Sequence, residues 1–377
     1  MTLLSIVGDD ISRIVPLLYA YKDSIKKHIL LCDDDPSNYQ RAKMLQQGMM
    51  KFSAKHTLGW YVRVVSINED LESDIKGVAS REREGGLWLN ATDGYPAITI
   101  LLSDFIRKDG GKILSYDHFD NDLHIIEPDG TMSTNTLETV IDIDSYLTLL
   151  NYEIVDGLRR DDLIATKDDI LELYKSQSLY VKIKRAILDR HFKNHNNFDI
   201  MKHKHILYVL QNIGILDDNF TLIPSKQKLL QGDMLEMYLF WLCEELGFDD
   251  IMMGVKIDFD DSKNEPMIQN RVVNEFDILM MKNNRIYTIE AKCSNNLDGL
   301  EFVYKYDAII DYFGKTSKAI IVNISSKEKI SYLGTKSSSN FRQSTLRRAR
   351  MAGVAVYHET QINPSKLQKM IGDFFNL

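Results

Sequence analysis

Residues 273–292 read VNEFDILMMKNNRIYTIEAK, and this stretch decides the fold of the C-terminal part of the chain. Two runs rich in apolar and β-branched residues flank Asn283-Asn284. Asn tolerates the left-handed backbone that a tight hairpin turn requires, so the pattern predicts a type I′ turn between two antiparallel strands. In that register Asp277 lies opposite Glu290, and Glu275 lies opposite Lys292.

The polar residues of this hairpin share one face, because side chains two positions apart on a strand point the same way. Facing carboxylates about 5 Å apart repel by about 3 kcal/mol at an effective dielectric constant near 20. A divalent cation reverses that repulsion, and Mg²⁺ or Mn²⁺ prefers oxygen ligands. Asp277 and Glu290 are therefore candidate metal ligands, with Lys292 beside them for phosphate chemistry. An ion-paired hairpin, Glu275 with Lys292, is the alternative.

The segments around the hairpin predict a mixed α/β domain. Glu236 shares a helix face with the apolar residues Leu239, Phe240 and Cys243, so it is a candidate third acid, although a surface acid is the alternative. The predicted order is α-β-β-β-α-β, with further elements at the end. The predicted segments are helix 232–247, strands 251–258, 273–281 and 285–291, helix 297–313, strand 318–324, helix 340–351, strand 354–357 and helix 364–375.

The first 130 or so residues alternate apolar runs with helical stretches, which predicts a parallel, Rossmann-like sheet. Ligands bind such sheets at the carboxyl ends of the strands. The candidate loops are Gly8-Asp9-Asp10-Ile11-Ser12 and Asn90-Ala91-Thr92-Asp93-Gly94, although ordinary turn chemistry is the alternative. The predicted strands are 3–7, 28–32, 61–67, 86–90, 112–116 and 123–127, and the predicted helices are 11–22, 37–56, 69–83 and 96–108.

A connector is predicted between these two parts, giving domains at 1–136, 137–228 and 229–377. The connector should contain four helical segments and a hairpin over 214–223. Three helices and a small hairpin are similar to a winged helix, which leaves DNA binding open. The predicted helices are 143–150, 167–176, 178–192 and 200–213. Its histidines favour a solvated basic helix over a metal site, because no acid or cysteine joins them at ligand spacing; they are His191, His195, His203 and His205.

Charge is distributed unevenly in this chain of 377 residues with a net charge of −8. Residues 233–311 hold 7 basic and 17 acidic residues, whereas residues 315–350 hold nine basic residues and one acid. Arg347, Arg348 and Arg350 are therefore candidate phosphate contacts, with surface charge as the alternative. The longest apolar run is seven residues and the three cysteines are isolated, which favours a cytoplasmic protein without membrane spans or disulfides.

The hairpin residues resemble the PD-(D/E)xK nuclease superfamily. The matching segments are Asn274-Glu275-Phe276-Asp277-Ile278-Leu279 and Tyr287-Thr288-Ile289-Glu290-Ala291-Lys292-Cys293, with Glu236 upstream and Phe276 in place of the motif proline. The resemblance implies that Asp277, Glu290 and the backbone carbonyl of Ala291 hold Mn²⁺ or Mg²⁺, with Glu236 as an additional ligand. It also implies that Lys292 assists hydrolysis.

The whole chain is similar to the CARF-domain nucleases of type III CRISPR systems. Residues 90–96, Asn-Ala-Thr-Asp-Gly-Tyr-Pro, resemble the family signature Asn-x-Thr-Gly-Gly-Thr-Lys, with Asp93 in place of a glycine and no lysine. The resemblance implies a homodimer that binds a cyclic oligoadenylate, most often cyclic tetra-adenylate, across its two-fold axis. The implied contacts are Gly8, Asp9, Asp10, Ser12, Asn90, Thr92, Asp93 and Gly94.

The function expected from the sequence is a metal-dependent endonuclease that the ring activates in antiviral defence. It would cut single-stranded RNA or DNA, or nick duplex DNA. One alternative is a ligand-responsive transcription regulator that binds DNA through residues 143–223. The other is a restriction or repair nuclease whose front domain exerts no nucleotide control.

Overall fold

The structure is a computed structural model that describes residues 1–67, 77, 86–192, 197–258, 273–293, 303–306, 313–324, 329–330, 336–337, 343–359 and 362–377. The helix predicted over 69–83, apart from residue 77, and His195 lie outside the described residues, and so does most of the helix predicted over 297–313. Within the described ranges the chain is a mixed α/β protein with two large sheets, which confirms the predicted fold class.

The front sheet has the order β3-β2-β1-β4-β5-β6-β7 among the described residues, and its first five strands run parallel. The chain order reverses between β1 and β4, which is where Rossmann-like sheets bind ligands. The strands are β1 (Thr2–Ile6), β2 (Lys27–Cys32), β3 (Tyr61–Ser66), β4 (Leu87–Asn90), β5 (Lys112–Asp117), β6 (Asp122–Ile126) and β7 (Met132–Thr136). The described helices beside it are α1 (Val15–Ala20), α2 (Pro36–Lys55) and α3 (Pro96–Lys108).

Two features of the front part differ from the sequence expectation. The helix predicted over 11–22 is split into a 3-10 turn, Ile11–Arg13, and the short helix α1. Pro16 lies in the first turn of α1, where a missing N–H costs nothing. Strand β7 was not predicted, because all five of its residues are exposed and carry no alternating apolar pattern.

The connector is helical, but it also contributes a strand to the second sheet. Its helices are α4 (Ile143–Leu149), α5 (Lys167–Lys175), α6 (Gln177–His191) and α7 (Lys204–Asn212), with a 3-10 turn over Ile200–His203. Strand β8 (Glu153–Leu158) was not predicted. The hairpin expected over 214–223 is a single antiparallel bridge, Leu216 with Leu222.

The second sheet has the order β15-β12-β11-β10-β9-β8 among the described residues. Its strands after β8 are β9 (Asp250–Asp258), β10 (Val273–Lys282), β11 (Arg285–Lys292), β12 (Lys318–Ile324) and β15 (Val354–Glu359), and a separate pair is formed by β13 (Lys329–Ile330) and β14 (Lys336–Ser337). The helices are α8 (Met234–Glu244), α9 (Gln343–Met351) and α10 (Pro364–Phe375). Of the helices that the structure describes, none is both long and apolar enough to cross a membrane.

The predicted hairpin register is confirmed from Ile278–Ile289 to Lys282–Arg285. Asn283 and Asn284 both have positive φ, 48° and 60°, as a type I′ turn requires. The recorded ladder stops before Asp277 and Glu290, because the backbone N–H of Ala291 donates to Asp277 Oδ2 at 2.7 Å instead of to a strand partner. The two strands therefore separate where the candidate site begins.

Candidate active site and ligand pocket

Three predicted residues converge beyond the end of the hairpin ladder. Lys292 Nζ lies 2.6 Å from Glu290 Oε1 and 3.4 Å from Asp277 Oδ2. Glu290 is only 2 % exposed, while the side chain of Lys292 is 27 % exposed and reaches solvent. The lysine therefore joins two carboxylates at the edge of a solvent-accessible site. Glu275 is exposed, and no ion pair between it and Lys292 is among those that the described residues form.

The pKa shifts of Asp277 and Lys292 reflect their burial and the closeness of the charged side chains. Burial and the charge of Glu290 raise the pKa of Asp277 to about 6. Burial alone would lower the pKa of Lys292, but the charges of Asp277 and Glu290 raise it. Lys292 is therefore an ammonium at neutral pH and partly neutralises the two acids.

Glu290 has further partners on the segment 303–306. Tyr306 is buried and its hydroxyl donates to Glu290 Oε2, and Lys305 Nζ lies 3.7 Å from the same oxygen. Lys305 Nζ also donates to the backbone carbonyl of Glu275 at 2.9 Å. The structure places Tyr306 against a candidate metal ligand, where it fixes the carboxylate.

Glu236 stands close to this group without joining its hydrogen bonds among the described residues. Burial and the charges of Asp277 and Asp233 raise the pKa of Glu236 to about 8. No three His, Cys, Asp or Glu side chains in the described part of the chain converge closely enough to hold a metal ion by themselves. Asp277 and Glu290 nevertheless offer carboxylate oxygen atoms, the ligand type that a hard cation prefers. Burial and the charge of Glu290 raise the pKa of Asp277, and added positive charge would stabilise both carboxylates.

The arginines predicted to contact substrate lie on helix α9. Arg347, Arg348 and Arg350 are all exposed. The guanidinium of Arg348 lies over the ring of Tyr304, 5.4 Å from its centroid. Tyr304 is two residues from Tyr306, so the segment 303–306 contacts both this basic surface and Glu290.

A pocket of about 380 Å³ opens at the carboxyl ends of the front strands. Five of the predicted ligand contacts line it, namely Gly8, Asp9, Asp10, Asp93 and Gly94. Gly8 follows β1 and Gly94 follows β4, so the pocket lies at the predicted reversal of strand order. A Cβ on Gly8 would come within 2.8 Å of the Gly94 backbone, which shows how closely the two loops approach.

The other three predicted contacts are buried and do not line the pocket. Ser12 is hydrogen-bonded to Asp10 through its backbone N–H, at 3.2 Å. The side chain of Asn90 accepts from the N–H of Thr92, and the Thr92 hydroxyl accepts from the N–H of Tyr116 at 3.0 Å. These side chains hold the loops in shape, and their contact with a ligand stays a prediction.

Asp93 also departs from the expected role. Its Oδ2 accepts the backbone N–H of Gly8 at 2.9 Å and that of Asp10 at 3.4 Å, and burial raises its pKa. These two N–H groups are thus hydrogen-bonded within the protein. A carboxylate of the protein itself occupies them where the family signature has a glycine.

Six residues of the pocket wall were not predicted. They come from four separate parts of the chain: Arg13, Tyr95, His118, Phe119, Lys315 and Thr316. His118 and Phe119 follow β5, so their position after a parallel strand was a usable signal. No sequence signal could place Lys315 and Thr316, which are about 300 residues away from the β1 loop.

A family model matches the C-terminal part of the chain, and solved structures match its full length. Residues 224–343 match the model of the Card1-like endonuclease domain. The chain therefore carries an endonuclease domain, which makes it a nucleic-acid hydrolase. A sequence comparison with curated proteins gives no match.

Several solved structures share the fold over the full length of the chain. Protein VC1899 from Vibrio cholerae aligns with a TM-score of 0.72 and 16% identity, over 100% of this chain and 98% of that chain. Can2 from Sulfobacillus thermosulfidooxidans, solved in complex with cyclic tetra-adenylate, aligns with a TM-score of 0.66 and 15% identity, over 100% and 97%. A type III CRISPR defence DNA nuclease activated by cyclic oligoadenylate aligns with a TM-score of 0.52 and 14% identity, over 99% of this chain and 51% of that chain.

Proposed function

We propose that this chain, which carries a Card1-like endonuclease domain and shares its fold with Can2, is a metal-dependent endonuclease switched on by a cyclic oligoadenylate. The observation that carries the proposal is the convergence of Asp277, Glu290 and Lys292 at the end of the hairpin ladder. The setting is antiviral defence, as the names of the structural relatives suggest.

The acids and the lysine have separate tasks in this proposal. Asp277, Glu290 and the backbone carbonyl of Ala291 hold Mn²⁺ or Mg²⁺, and Glu236 is an additional ligand. Such a cation polarises the scissile phosphate and makes water a better nucleophile. Tyr306 fixes Oε2 of Glu290, so the carboxylate keeps one orientation.

Lys292 acts as a cationic hydrogen-bond donor in this arrangement. Its pKa is raised, so Nζ remains protonated at neutral pH and can donate a hydrogen bond to a phosphate oxygen as negative charge builds up there. Two roles are open to a lysine beside a metal site, namely activating water and stabilising developing charge. The raised pKa favours charge stabilisation.

The exposed arginines of α9 bind the backbone of the nucleic-acid substrate. Arg347, Arg348 and Arg350 offer guanidinium groups that pair with phosphates without reading a base sequence. Tyr304, beneath Arg348, is half-exposed and offers a ring on which a base can stack. A stacking contact requires an unpaired base, so we propose single-stranded RNA or DNA as the substrate, with nicking of duplex DNA as the further possibility.

The activator pocket is half of a site. A cavity of about 380 Å³ is too small for a ring of several nucleotides, because cavities of roughly 300–1,000 Å³ hold drug-sized ligands. A second copy of the chain would supply the other half. Helix α3 supports this pairing, because it starts next to the pocket residue Tyr95 and exposes Ile100 (68 %) and Leu101 (40 %).

Replacing one buried carboxylate tests where the chemistry occurs. We expect Glu290→Gln to reduce cleavage of labelled single-stranded DNA and RNA in Mn²⁺ by at least about 1,000-fold, because a neutral amide cannot hold the cation. The variant should still bind cyclic tetra-adenylate as the wild-type chain does. Glu172→Gln, an exposed acid on α5, is the matched control and should cleave normally. Normal cleavage by Glu290→Gln would contradict the proposal.

A further inference from the structure

One wall of the front pocket is built by residues 313–317, which belong to the nuclease half of the chain. Lys315 and Thr316 line the pocket beside Asp9, Asp10 and Arg13. This segment leads directly into β12, the strand that lies next to β11 in the second sheet. The pocket is thus lined both by loops of the front sheet and by residues of the nuclease half of the same chain.

Specific contacts hold the segment in the pocket wall. The backbone N–H of Lys315 donates to Asp10 Oδ2 at 3.0 Å, and the carbonyl of Phe313 accepts from the Tyr146 hydroxyl at 2.8 Å. Gly314 has φ +104°, and a Cβ there would lie 1.9 Å from Ser12 Oγ. Only glycine permits both this backbone conformation and this approach.

The charges of the pocket make Lys315 important for an anionic ligand. Asp9, Asp10 and Asp93 bring negative charge to the wall, whereas Arg13 and Lys315 are the cationic side chains among its described lining residues. The ion pair of Lys315 Nζ with Asp9 Oδ2 is long, 3.7 Å, and both side chains are more than 60 % exposed. Such an exposed pair is weak and easily exchanged, so the ammonium is available to an incoming phosphate.

Both directions along the chain lead from this segment to the catalytic residues. On the N-terminal side, Phe313 is seven positions from Tyr306, whose hydroxyl donates to Glu290. On the C-terminal side, Ile321 of β12 pairs with Glu290 of β11, and Asn323 pairs with Lys292. A displacement of Lys315 by a ligand would therefore reach Glu290 through the ring contacts of Phe276 with Phe313 and Tyr306 and through the pairing of β12 with β11.

We infer that Lys315 is an activator-binding residue supplied by the nuclease half, and that residues 313–317 couple the pocket to the carboxylate site. The inference rests on the proposed function, because it takes a cyclic oligoadenylate as the ligand. An incoming phosphate replaces Asp9 as the partner of Lys315 and draws the segment with it. Because the ligand binds more tightly when residues 313–317 are displaced towards it, it also favours the position of Glu290 that accompanies this displacement.

The test compares Lys315→Met with Lys369→Met, an exposed lysine on α10. Affinity for cyclic tetra-adenylate is measured by calorimetry on the full chain in EDTA, at two salt concentrations, so that no cleavage contributes to the signal. We expect Lys315→Met to bind about 3- to 10-fold more weakly with a smaller salt dependence, as the loss of one phosphate contact predicts. Lys369→Met should match the wild-type chain in affinity and in basal cleavage.

A second variant addresses the coupling. Gly314→Ala should push the segment away from Ser12, so its cleavage rate should rise several-fold less on adding cyclic tetra-adenylate than that of the wild-type chain. Melting temperatures of all variants show whether they remain folded. Wild-type affinity and activation in Lys315→Met would overturn the inference alone. A wild-type chain that cleaves yet does not bind cyclic tetra-adenylate would overturn the proposed function and the inference with it.

Discussion

Lys292 lies between two carboxylates and holds them at a distance at which they would otherwise repel. It contacts Asp277 and Glu290 at 3.4 and 2.6 Å, and their charges raise its pKa. The lysine therefore has a structural effect that is separate from catalysis. This effect can be measured without any substrate.

Lys292→Met should leave two facing carboxylates without their shared cation. We expect the free energy of unfolding at pH 8 to fall by about 2 kcal/mol, and Mn²⁺ to raise the melting temperature of the variant more than that of the wild-type chain. Calorimetric melting with and without Mn²⁺ measures both. Lys182→Met, an exposed lysine on α6, is the control. No Mn²⁺ response in any of the three proteins would contradict a cation site at Asp277 and Glu290, and equal responses would show that Lys292 does not compete with the cation.

His28 gives a pH-dependent contribution to stability that is remote from the carboxylate site. It is 1 % exposed against the ring of Trp60, and burial lowers its pKa from 6.5 to about 4. The unfolded chain therefore takes up a proton first as the pH falls. The stability is fully present above pH 6.5 and is lost progressively down to about pH 4.

Comparing urea unfolding at pH 7 and pH 4 tests this. The wild-type chain should lose about 3 kcal/mol more than His28→Gln between the two pH values, because each pKa unit corresponds to about 1.4 kcal/mol. His118 has a similarly lowered pKa, but it contributes equally to both proteins. His56→Gln, at an exposed position, should behave as wild type. A pH dependence unchanged by His28→Gln would show that this histidine is not the cause.

At the scale of elements, the hairpin β10–β11 was the most predictable part of the fold. Its register and its left-handed Asn-Asn turn follow from local sequence, and both are confirmed. The edge strands β7 and β8 were missed, because Met132–Thr136 is fully exposed and the pattern of Glu153–Leu158 is mostly exposed with a glycine inside. Edge strands are specified by the neighbour they pair with, which the sequence pattern does not reveal.

The turn itself has a tertiary role that sequence reasoning did not detect. The buried side chain of Asn284 accepts the N–H of Ile141 at 2.9 Å and donates to Asn121 Oδ1 at 3.2 Å and to the carbonyl of Thr139 at 3.1 Å. Its neighbour Asn283 makes no comparable side-chain contact among the hydrogen bonds of the described residues. The hairpin β10–β11 is thus hydrogen-bonded to the loop between β5 and β6 and to residues 139–141, which follow the front sheet.

These neighbours form a matched pair for mutation. Asn284→Gly keeps the positive φ but loses the side-chain bonds, so it should lower the free energy of unfolding by about 2–4 kcal/mol. Asn283→Gly keeps the same turn and should change it by less than about 0.5 kcal/mol. Chemical denaturation of both variants measures these changes in the free energy of unfolding. Equal effects would mean that the turn conformation, and not the anchoring of Asn284, provides the stability.

At the scale of the whole molecule, the front and nuclease halves share one buried apolar cluster. Tyr116 and Tyr146 belong to it together with Phe276 and Phe313. The boundaries at 136 and 228 remain predictions, since β8 of the predicted connector pairs with β9 of the nuclease sheet. Sequence reasoning divided the chain by composition, whereas these contacts join distant parts and could not be inferred from either segment alone.

The proposed dimer should depend on the exposed face of α3. Ile100→Glu places a charge on that face, and we expect it to convert a dimer to a monomer in sedimentation equilibrium and to weaken binding of cyclic tetra-adenylate by at least about tenfold. Phe192→Glu, on the exposed end of the connector helix α6, is the control and should remain dimeric. A dimer that persists in Ile100→Glu with unchanged ligand affinity would place the interface elsewhere.

The most direct test of the central claim is the initial rate of cleavage with and without cyclic tetra-adenylate. Wild-type chain and Glu290→Gln are incubated in Mn²⁺ with labelled single-stranded RNA, single-stranded DNA or plasmid. We expect at least about a tenfold increase in rate on adding the ring to the wild-type chain, and no cleavage in the variant under either condition. Cleavage by the wild-type chain at the same rate with and without the ring would contradict it, and would favour a nuclease without nucleotide control.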